Sequence, residues 1–260
     1  RGSISLFKDD DVLELAFDRI SKKKNDAPEM GEVKKLTRPE VKEYHPHLSG
    51  AYSGIFVEGG AQVKGALLRK ALKTAFIKAG GTWLEETAPE TTDGMTIYAT
   101  GAWGSEQSYE PAITHQRSEV LHFKVEEPEI VKTPVVMALG PIYIVEMGDN
   151  EFAIGTTHQK TESYDDSPSE ENHQYLRQLA ERYFPDSELT DVRMMVGFKP
   201  YTRDFLPFIG QVDENTFVIN GAGATGLTAG PIIGHEVARF LSGQETELDL
   251  SDYSYIEPEN

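Results

Sequence analysis

A glycine-rich turn in the last quarter of the chain is the strongest candidate for ligand-binding chemistry. Residues 221–226 read Gly-Ala-Gly-Ala-Thr-Gly and match the pattern G-x-G-x-x-G. They follow a predicted strand, 216–220, and precede a predicted helix that ends near Gly243. In that setting, backbone amides at the start of a helix can bind a phosphate or another anion. A tight strand-to-helix turn without a ligand has the same residues, so the pattern alone leaves both interpretations open.

The residues after this turn limit what it can belong to. Only 34 residues follow Gly226, and the last of them, 245–260, are acidic and poor in strand-forming residues. A self-contained dinucleotide-binding domain needs further strands beyond its first glycine turn. A nicotinamide-dependent dehydrogenase built on this turn is therefore disfavoured.

The chain upstream of the turn carries cations, tyrosines and histidines, among them Lys199, Arg203, Tyr143, Tyr201 and His158. A cation can hold a carboxylate, lysine as a point charge and arginine with a two-pronged geometry. By residue type alone, each of these side chains is equally a surface cation, a packed aromatic or a hydrogen-bonded histidine. The seven histidines show no spacing typical of a metal site.

The composition excludes several classes of protein. The formal net charge of −18 repels a phosphate backbone, so we expect no nucleic-acid partner. Without cysteine there is no disulfide, no thiolate ligand and no thioether-linked cofactor. No apolar run reaches the roughly 20 residues that a membrane span needs, and we see no signal peptide. We therefore expect a cytoplasmic globular protein, with homo-oligomerisation left open.

Apolar periodicity predicts two kinds of architecture. Helices are expected at 9–22 and along the stripe 67–76, and residues 23–46 are expected to form a polar surface connection with one short helix. A short strand at 54–60 precedes the second helix, which ends at Gly80-Gly81, and another strand starts at 82–84. This strand–helix–strand order suggests a parallel α/β layer. Between 120 and 157 four β-rich runs, the last two joined at 148–150, predict antiparallel strands. Ser167-Pro168-Ser169-Glu170 predicts a helix start with Ser167 as its cap.

Several segments, in order along the chain, resemble the D-amino-acid oxidase/glycine oxidase superfamily of flavoproteins. They are 98–103 (Tyr-Ala-Thr-Gly-Ala-Trp), 153–158 (Ala-Ile-Gly-Thr-Thr-His), 197–210 (Gly-Phe-Lys-Pro-Tyr-Thr-Arg-Asp-Phe-Leu-Pro-Phe-Ile-Gly) and 221–234. The resemblance extends from about residue 2 to residue 250. It is closest to bacterial members that are glycine oxidase-like.

The resemblance implies a mixed α/β and α+β fold. An FAD-binding domain, 53–110 and 205–260, would be interleaved with a substrate domain, 1–52 and 111–204, built on a large antiparallel or mixed sheet. It also implies non-covalent FAD and oxidation of a small amine or amino acid, of the D-amino acid, glycine or sarcosine class, to an imine by hydride transfer. By the same resemblance, Tyr143 and Lys199 would face the substrate across the flavin from the turn, and Arg203, Tyr201 and His158 are further candidates to line that pocket. The residues expected to contact FAD are Gly101, Ala102, Gly223, Ala224, Thr225, Gly226, Leu227 and Thr228.

The sequence departs from the family pattern at three places. The family's first βαβ unit, which holds the FAD pyrophosphate, is expected before residue 1, and without it the affinity for FAD should fall. The segment 86–95 is short, with a tight turn expected at 91–94. Lys199 stands where relatives commonly have an arginine that binds the substrate carboxylate, and Arg203 is a candidate to compensate. The alternative is a non-catalytic fragment that binds a ligand without flavin.

Overall fold

The computed structural model describes residues 1–88, 93–106, 109, 111–127 and 129–254. The strands, in chain order, are β1 Ser3–Phe7, β2 Val33–Leu36, β3 Ser53–Val57, β4 Thr96–Tyr98, β5 Thr114–Val125, β6 Val135–Met137, β7 Tyr143–Gly148, β8 Glu151–Gly155, β9 Gln159–Lys160, β10 Leu189–Tyr201, β11 Phe208–Asp213 and β12 Thr216–Asn220. The α-helices are α1 Asp10–Lys23, α2 Arg38–Tyr44, α3 Gly65–Lys78, α4 Glu170–Tyr183 and α5 Gly226–Leu241.

The chain folds into two compact units, each built from three separate stretches. The first unit comprises Arg1–Lys64, Glu119–Thr157 and Asp166–Val196, and the second comprises Gly65–Ser118, His158–Asp165 and Gly197–Asn260. These bounds differ from the domains expected from the sequence, since β3 belongs to the first unit. The roles expected for the two domains, in flavin and substrate binding, stay predictions.

The first unit is built on a large mixed sheet. Its strand order is β10-β5-β8-β7-β6-β1-β3-β2, and β1 runs parallel to β6 but antiparallel to β3. Alternate residues of β1 and β7 are buried, and α4 buries Leu176, Leu179, Ala180 and Tyr183 in the same core. The four predicted strands between 120 and 157 are confirmed as β5 to β8. The mixed fold class expected from the sequence is therefore confirmed.

The hairpin predicted at 148–150 joins β7 and β8. Gly148, Asp149 and Asn150 all have positive φ angles, of 112°, 54° and 59°. Asn150 tolerates this conformation because its side-chain amide donates to the carbonyl oxygens of Glu127 and Glu129, at 3.1 and 2.8 Å. These bonds tie the hairpin to the segment that follows β5.

The start of α4 lies two residues later than the sequence predicts. Ser169, not Ser167, is the N-cap, and its hydroxyl accepts a hydrogen bond from the Asn172 amide at 3.2 Å. The carboxylate of Glu119, which is fully buried, accepts from the Ser169 amide and hydroxyl, both at 3.0 Å, and from Asn172 Nδ2 at 2.6 Å. A distant acceptor thus selects which of the two serines caps the helix.

The second unit has a three-stranded sheet in the order β11-β12-β4. β11 and β12 pair antiparallel, and β12 and β4 pair parallel with Val218 beside Tyr98. Helix α5 packs on this sheet through Ile233 and Val237. The predicted strand 216–220 and the helix after the glycine turn are both confirmed.

Helix α3 confirms the predicted apolar stripe and glycine stop, with Gly80 at a φ of 96°. The strand expected at 82–84 is wrong. Trp83 instead lies against α3, with the Lys73 Nζ 4.3 Å from its ring centroid. The parallel layer proposed around α3 is also wrong, because β3 pairs antiparallel with β1 and β2. No described residue of α3 is buried, and Leu67, Leu72 and Phe76 are exposed.

Strands β2, β9, β10 and β11 were not predicted from the sequence. The segment 23–46, read as a surface connection with one short helix, contains both β2 and α2. The tight turn expected at 91–94 lies partly outside the described residues. Within the described parts of the chain, no helix has both the length and the apolar character that a bilayer span requires.

Candidate cofactor and substrate site

The predicted glycine turn connects β12 to α5. Gly221 and Gly223 have φ angles of 75° and 51°, a conformation that favours glycine, and a short 3₁₀ helix at Gly223–Thr225 leads into α5. A β-carbon at Gly221 would lie 2.7 Å from the Thr202 methyl group. Glycine is thus required at both positions by backbone conformation and by close packing.

Gly223 lies directly against Tyr201. A β-carbon at Gly223 would overlap the Tyr201 ring, because it would lie closer than van der Waals contact to three of the ring carbons. Burial raises the pKa of the Tyr201 phenol, so the group stays protonated at neutral pH. The structure therefore brings together a predicted cofactor residue and a predicted substrate residue.

The start of α5 offers backbone donors beside small side chains. The first amides of an α-helix have no partner within the helix, and its dipole favours an anion there. Ala224, Thr225, Leu227 and Thr228 are exposed at this end. The Thr225 hydroxyl donates to the Ala222 carbonyl at 2.8 Å, which turns it back onto the loop. This surface can accept a flat ring or a negatively charged group.

The second predicted cofactor segment lies at the same edge of the sheet. Strand β4 leads into Gly101, which has a φ of 59°, and into a 3₁₀ helix at Gly101–Glu106 in which Ala102 is buried. Because β4 and β12 are parallel neighbours, their carboxyl ends meet at one edge, where α/β proteins commonly bind nucleotide cofactors. Asn220 at the end of β12 reaches across, with its Nδ2 3.3 Å from the Tyr109 hydroxyl. The two glycine turns are therefore neighbours, and this edge fits the FAD expected from the sequence.

Lys199 and His158 interact electrostatically. Lys199 is half-buried, and burial lowers the pKa of its ammonium group. Burial, and then repulsion by Lys199, hold the pKa of His158 below its ordinary value. A half-buried cation of this kind can serve as the counter-charge of a small carboxylate.

Arg203 lies in a different setting. Its exposed side chain lines a cavity of about 800 Å³ in the second unit, together with Tyr201 and the buried His115. The lining of this cavity, as far as the chain is described, does not include Lys199. The proposed compensation of Lys199 by Arg203 stays a prediction.

Tyr143 belongs to the first unit, at the start of β7. It pairs with Met137 of β6 and with Gly155 of β8. Burial raises the pKa of the Tyr143 phenol, so it remains a hydrogen-bond donor at neutral pH. Its expected contact with the substrate stays a prediction.

An aromatic cluster that was not predicted from the sequence supports Ala102. The Tyr164 ring stacks on His115 and Trp103, with centroids 4.4 and 5.6 Å apart, and meets Phe198 edge-on at 5.5 Å. The Tyr164 hydroxyl donates to the Ala102 carbonyl oxygen at 2.8 Å. These residues are far apart in the sequence and follow no shared motif, so no signal could have joined them. The cluster connects the Gly101–Ala102 turn to the strand that carries Lys199.

Within the described residues, no group of three or more histidine, aspartate or glutamate side chains is arranged to hold a metal ion.

Gly223→Val should disrupt the turn and reduce FAD binding. The positive φ angle and the overlap with Tyr201 together should cost roughly 2–4 kcal/mol. We expect a lower midpoint of thermal unfolding. The affinity for FAD, measured by titration with quenching of FAD fluorescence as the signal, should be at least about tenfold weaker.

Gly230→Ala is the matched control for that substitution. A β-carbon at Gly230 would meet nothing within 4 Å, so this variant should match or slightly exceed the parent in stability. A Gly223→Val variant that binds FAD as the parent does would contradict the assignment of the turn.

The chain is similar to proteins of known family over nearly its whole length. Residues 1–240 match the family described as "DAO: FAD dependent oxidoreductase". The uncharacterized oxidoreductase YurR of Bacillus subtilis is 30% identical over 97% of the chain, and glycine oxidase of Geobacillus kaustophilus is 28% identical over 85%. The chain spans 74% of YurR and 65%, just under two thirds, of the glycine oxidase.

The fold agrees with these sequence relatives. The crystal structure of iminodiacetate oxidase (IdaA) from Chelativorans sp. BNC1 superposes with a TM-score of 0.89 and 25% identity. It covers 97% of this chain and 75% of that one. The expected family resemblance is thus confirmed: the chain belongs to the DAO family of FAD-dependent oxidoreductases.

Proposed function

We propose that the protein oxidises a small amine or amino acid, of the glycine, sarcosine or D-amino acid class, to an imine. The relatives named above act, by their names, on glycine and iminodiacetate, each of which carries an amine one carbon from a carboxylate. Bound FAD would supply the hydride acceptor for that carbon. The imine then hydrolyses to a carbonyl acid and the released amine or ammonia.

The observation that most supports this proposal is the pair of glycine turns at the carboxyl ends of β4 and β12. In this assignment, the amides of Gly101 and Gly223–Thr228 approach the flavin, and the start of α5 favours its negative charge. Tyr201 packs on Gly223 and limits the freedom of the turn. The protein's contribution is orientation and electrostatics rather than acid–base chemistry.

We assign Lys199 the task of binding the substrate carboxylate. Its ammonium is half-buried on β10, where a charge interaction is screened less than at the surface. An ammonium holds a carboxylate with less geometric control than a guanidinium does, so the site should tolerate carboxylates in more than one orientation. The second unit, with both glycine turns, is the proposed flavin-binding unit and also carries Lys199. The first unit, with the large sheet and Tyr143, is the proposed substrate unit.

The test is reconstitution with FAD followed by anaerobic addition of glycine, sarcosine or D-alanine. The proposal expects a bound flavin whose visible absorbance bleaches with at least one of these substrates. A protein that does not quench FAD fluorescence would instead favour the non-catalytic fragment. Saturable binding of NADH would favour a nicotinamide-dependent dehydrogenase.

Lys199→Met should lower kcat/KM for an amino acid by about a hundredfold, mainly through KM, because a charge-assisted hydrogen bond is lost. An amine substrate without a carboxylate should be affected far less. Lys199→Arg should restore most of the activity, and Lys78→Met, at an exposed position on α3, is the matched control. Equal losses for both kinds of substrate would argue against carboxylate binding by Lys199.

The assignment of Lys199 to carboxylate binding also predicts that KM for an amino acid changes with pH in the alkaline range. Because burial lowers the pKa of Lys199, its ammonium is lost at a pH below the ordinary value of 10.5. KM for an amino acid should therefore rise as pH increases through this lowered pKa, and the rise should be absent in Lys199→Arg. Steady-state kinetics across this range, with the flavin spectrum as a control for cofactor loss, makes the measurement.

A further inference from the structure

Asn220, at the carboxyl end of β12, is a buried polar side chain to which the proposed function assigns no role. It is 4% exposed and directly precedes Gly221, the first residue of the glycine turn. A buried side-chain amide needs hydrogen-bond partners for its oxygen and for its nitrogen within the protein. The partners of Asn220 therefore show which parts of the chain it holds together.

The two ends of the Asn220 amide have different partners. Its Oδ1 accepts a hydrogen bond from the Gly221 amide at 2.8 Å. Because a backbone amide only donates, this contact determines which end of the side chain is oxygen. The Nδ2 donates toward the Tyr109 hydroxyl at 3.3 Å and the Thr100 hydroxyl at 3.5 Å. Asn220 thus connects the start of one glycine turn to residues on both sides of the other.

Gly104 allows the 3₁₀ helix Gly101–Glu106 to come this close. A β-carbon at Gly104 would overlap the Asn220 Nδ2 and would lie 3.0 Å from the Tyr109 hydroxyl. The φ angle of Gly104 is outside the left-handed range, so the backbone conformation does not require glycine here. Close packing on the Asn220 amide does require it.

The sheet alone does not set the distance between the two turns. Strands β4 and β12 are parallel neighbours, and among the described residues their register ends at Tyr98 and Val218. Both glycine turns lie beyond this last pair. The Asn220 side chain supplies a link between them where the backbone ladder has ended.

We propose that Asn220 is a positioning residue for the cofactor, because it sets the distance between the turn at Gly101 and the turn at Gly221. This inference rests on the proposed function, in which both turns approach FAD. Asn220 acts through the backbone amides of the turns and does not itself contact the flavin. Donors held in place before binding give higher affinity, since the ligand does not have to order them.

Amide hydrogen exchange in the FAD-free chain tests the link without the cofactor. Asn220→Ala should speed exchange in the segment 101–106 as well as at Gly221, although that segment is distant in the sequence. Asn215→Ala is the matched control, because it removes an exposed asparagine from the opposite end of β12, and it should leave both regions unchanged. Faster exchange confined to the residues beside Asn220 would overturn the proposed link.

Titration with FAD, followed by quenching of its fluorescence, tests the positioning role. Asn220→Ala should weaken FAD affinity by about tenfold, at a temperature where thermal unfolding shows the variant to be folded. Gly104→Ala keeps every polar group of the link but forces its members apart, so it should also weaken binding. Unchanged FAD affinity in both folded variants would overturn the role.

A double-mutant cycle separates positioning from a general loss of structure. Tyr109→Phe removes one partner of Asn220 and should weaken FAD affinity less than Asn220→Ala does. The double variant should bind FAD as Asn220→Ala alone does, because the shared hydrogen bond is already absent. Losses that simply add would contradict the link. A parent chain that binds no FAD would contradict the proposed function itself, whereas the exchange experiment still decides whether the link exists.

Discussion

Glu119→Ala should lower the free energy of unfolding by about 3–5 kcal/mol, the largest stability loss we expect from a single substitution. The carboxylate is fully buried and accepts hydrogen bonds from the Ser169 amide, the Ser169 hydroxyl and the Asn172 side chain. Hydrogen bonds to a charged group contribute about 1.5–3 kcal/mol each, and alanine leaves their buried donors unpaired at the start of α4. A negative charge at a helix N-terminus is also favoured by the helix dipole.

Urea unfolding followed by circular dichroism measures this loss. Glu171→Ala, which removes an exposed carboxylate from the first turn of the same helix, should cost under about 1 kcal/mol. Glu119→Gln keeps one acceptor oxygen and the shape of the side chain, so it should fall between these two. An alanine variant as stable as the parent would show that the carboxylate does not hold α4 in place.

Acid should destabilise the first unit through His45 well before most carboxylates protonate. His45 is buried, and desolvation, with repulsion from His47, lowers its pKa to about 3. It packs against the rings of Phe152 and Phe184, at centroid distances of 5.7 and 5.6 Å, and its Nδ1 has no hydrogen-bond partner among the described residues. The neighbouring His47 has an acid close to it, since the Glu127 carboxylate lies 3.5 Å from the His47 Nδ1.

Stability falls as pH falls because His45 is neutral in the folded protein. The unfolded chain takes up a proton near the ordinary pKa of 6.5, whereas folded His45 does not until about pH 3. The stability contributed by neutral His45 is therefore complete above pH 6.5 and is lost as pH falls toward 3. The loss is about 1.4 kcal/mol for each pH unit, or about 2 kcal/mol between about pH 6.5 and pH 5.

His45→Leu removes the titration and isolates this effect. Its free energy of unfolding is measured in urea at several pH values between about pH 6.5 and pH 5. It should lack the decrease that His45 causes in the parent and keep only the pH dependence of the other groups. The difference between the two proteins should grow as pH falls. Parallel pH profiles would show that His45 is protonated in the folded state.

The sequence predicted correctly those elements whose ends are set by residues next to them in the chain. The stripe of α3 with Gly80 after it, and the hairpin at 148–150, depend on neighbouring residues and were both correct. The cap of α4 was misplaced because its choice between two serines depends on Glu119, some 50 residues away. Strand β2, Val-Lys-Lys-Leu, has no alternation to read, and it forms because β3 pairs with it.

The candidate site, too, has one part that the local sequence predicts and other parts that depend on tertiary structure. The turn at 221–226 is visible as a pattern because glycine is the residue that its backbone angles require. Its closeness to Gly101 depends on the parallel pairing of β4 with β12, which the sequence does not reveal. The support of Ala102 by Tyr164 depends on tertiary packing alone.

The division of each unit among three stretches of chain has a consequence for synthesis on the ribosome. Strand β4, at residues 96–98, emerges long before its partner β12, at residues 216–218, has been translated. Until then the edge of β4 lacks its native neighbour β12, and exposed edges of this kind invite aggregation. Recovery of native protein should therefore improve when a holding chaperone is abundant during expression.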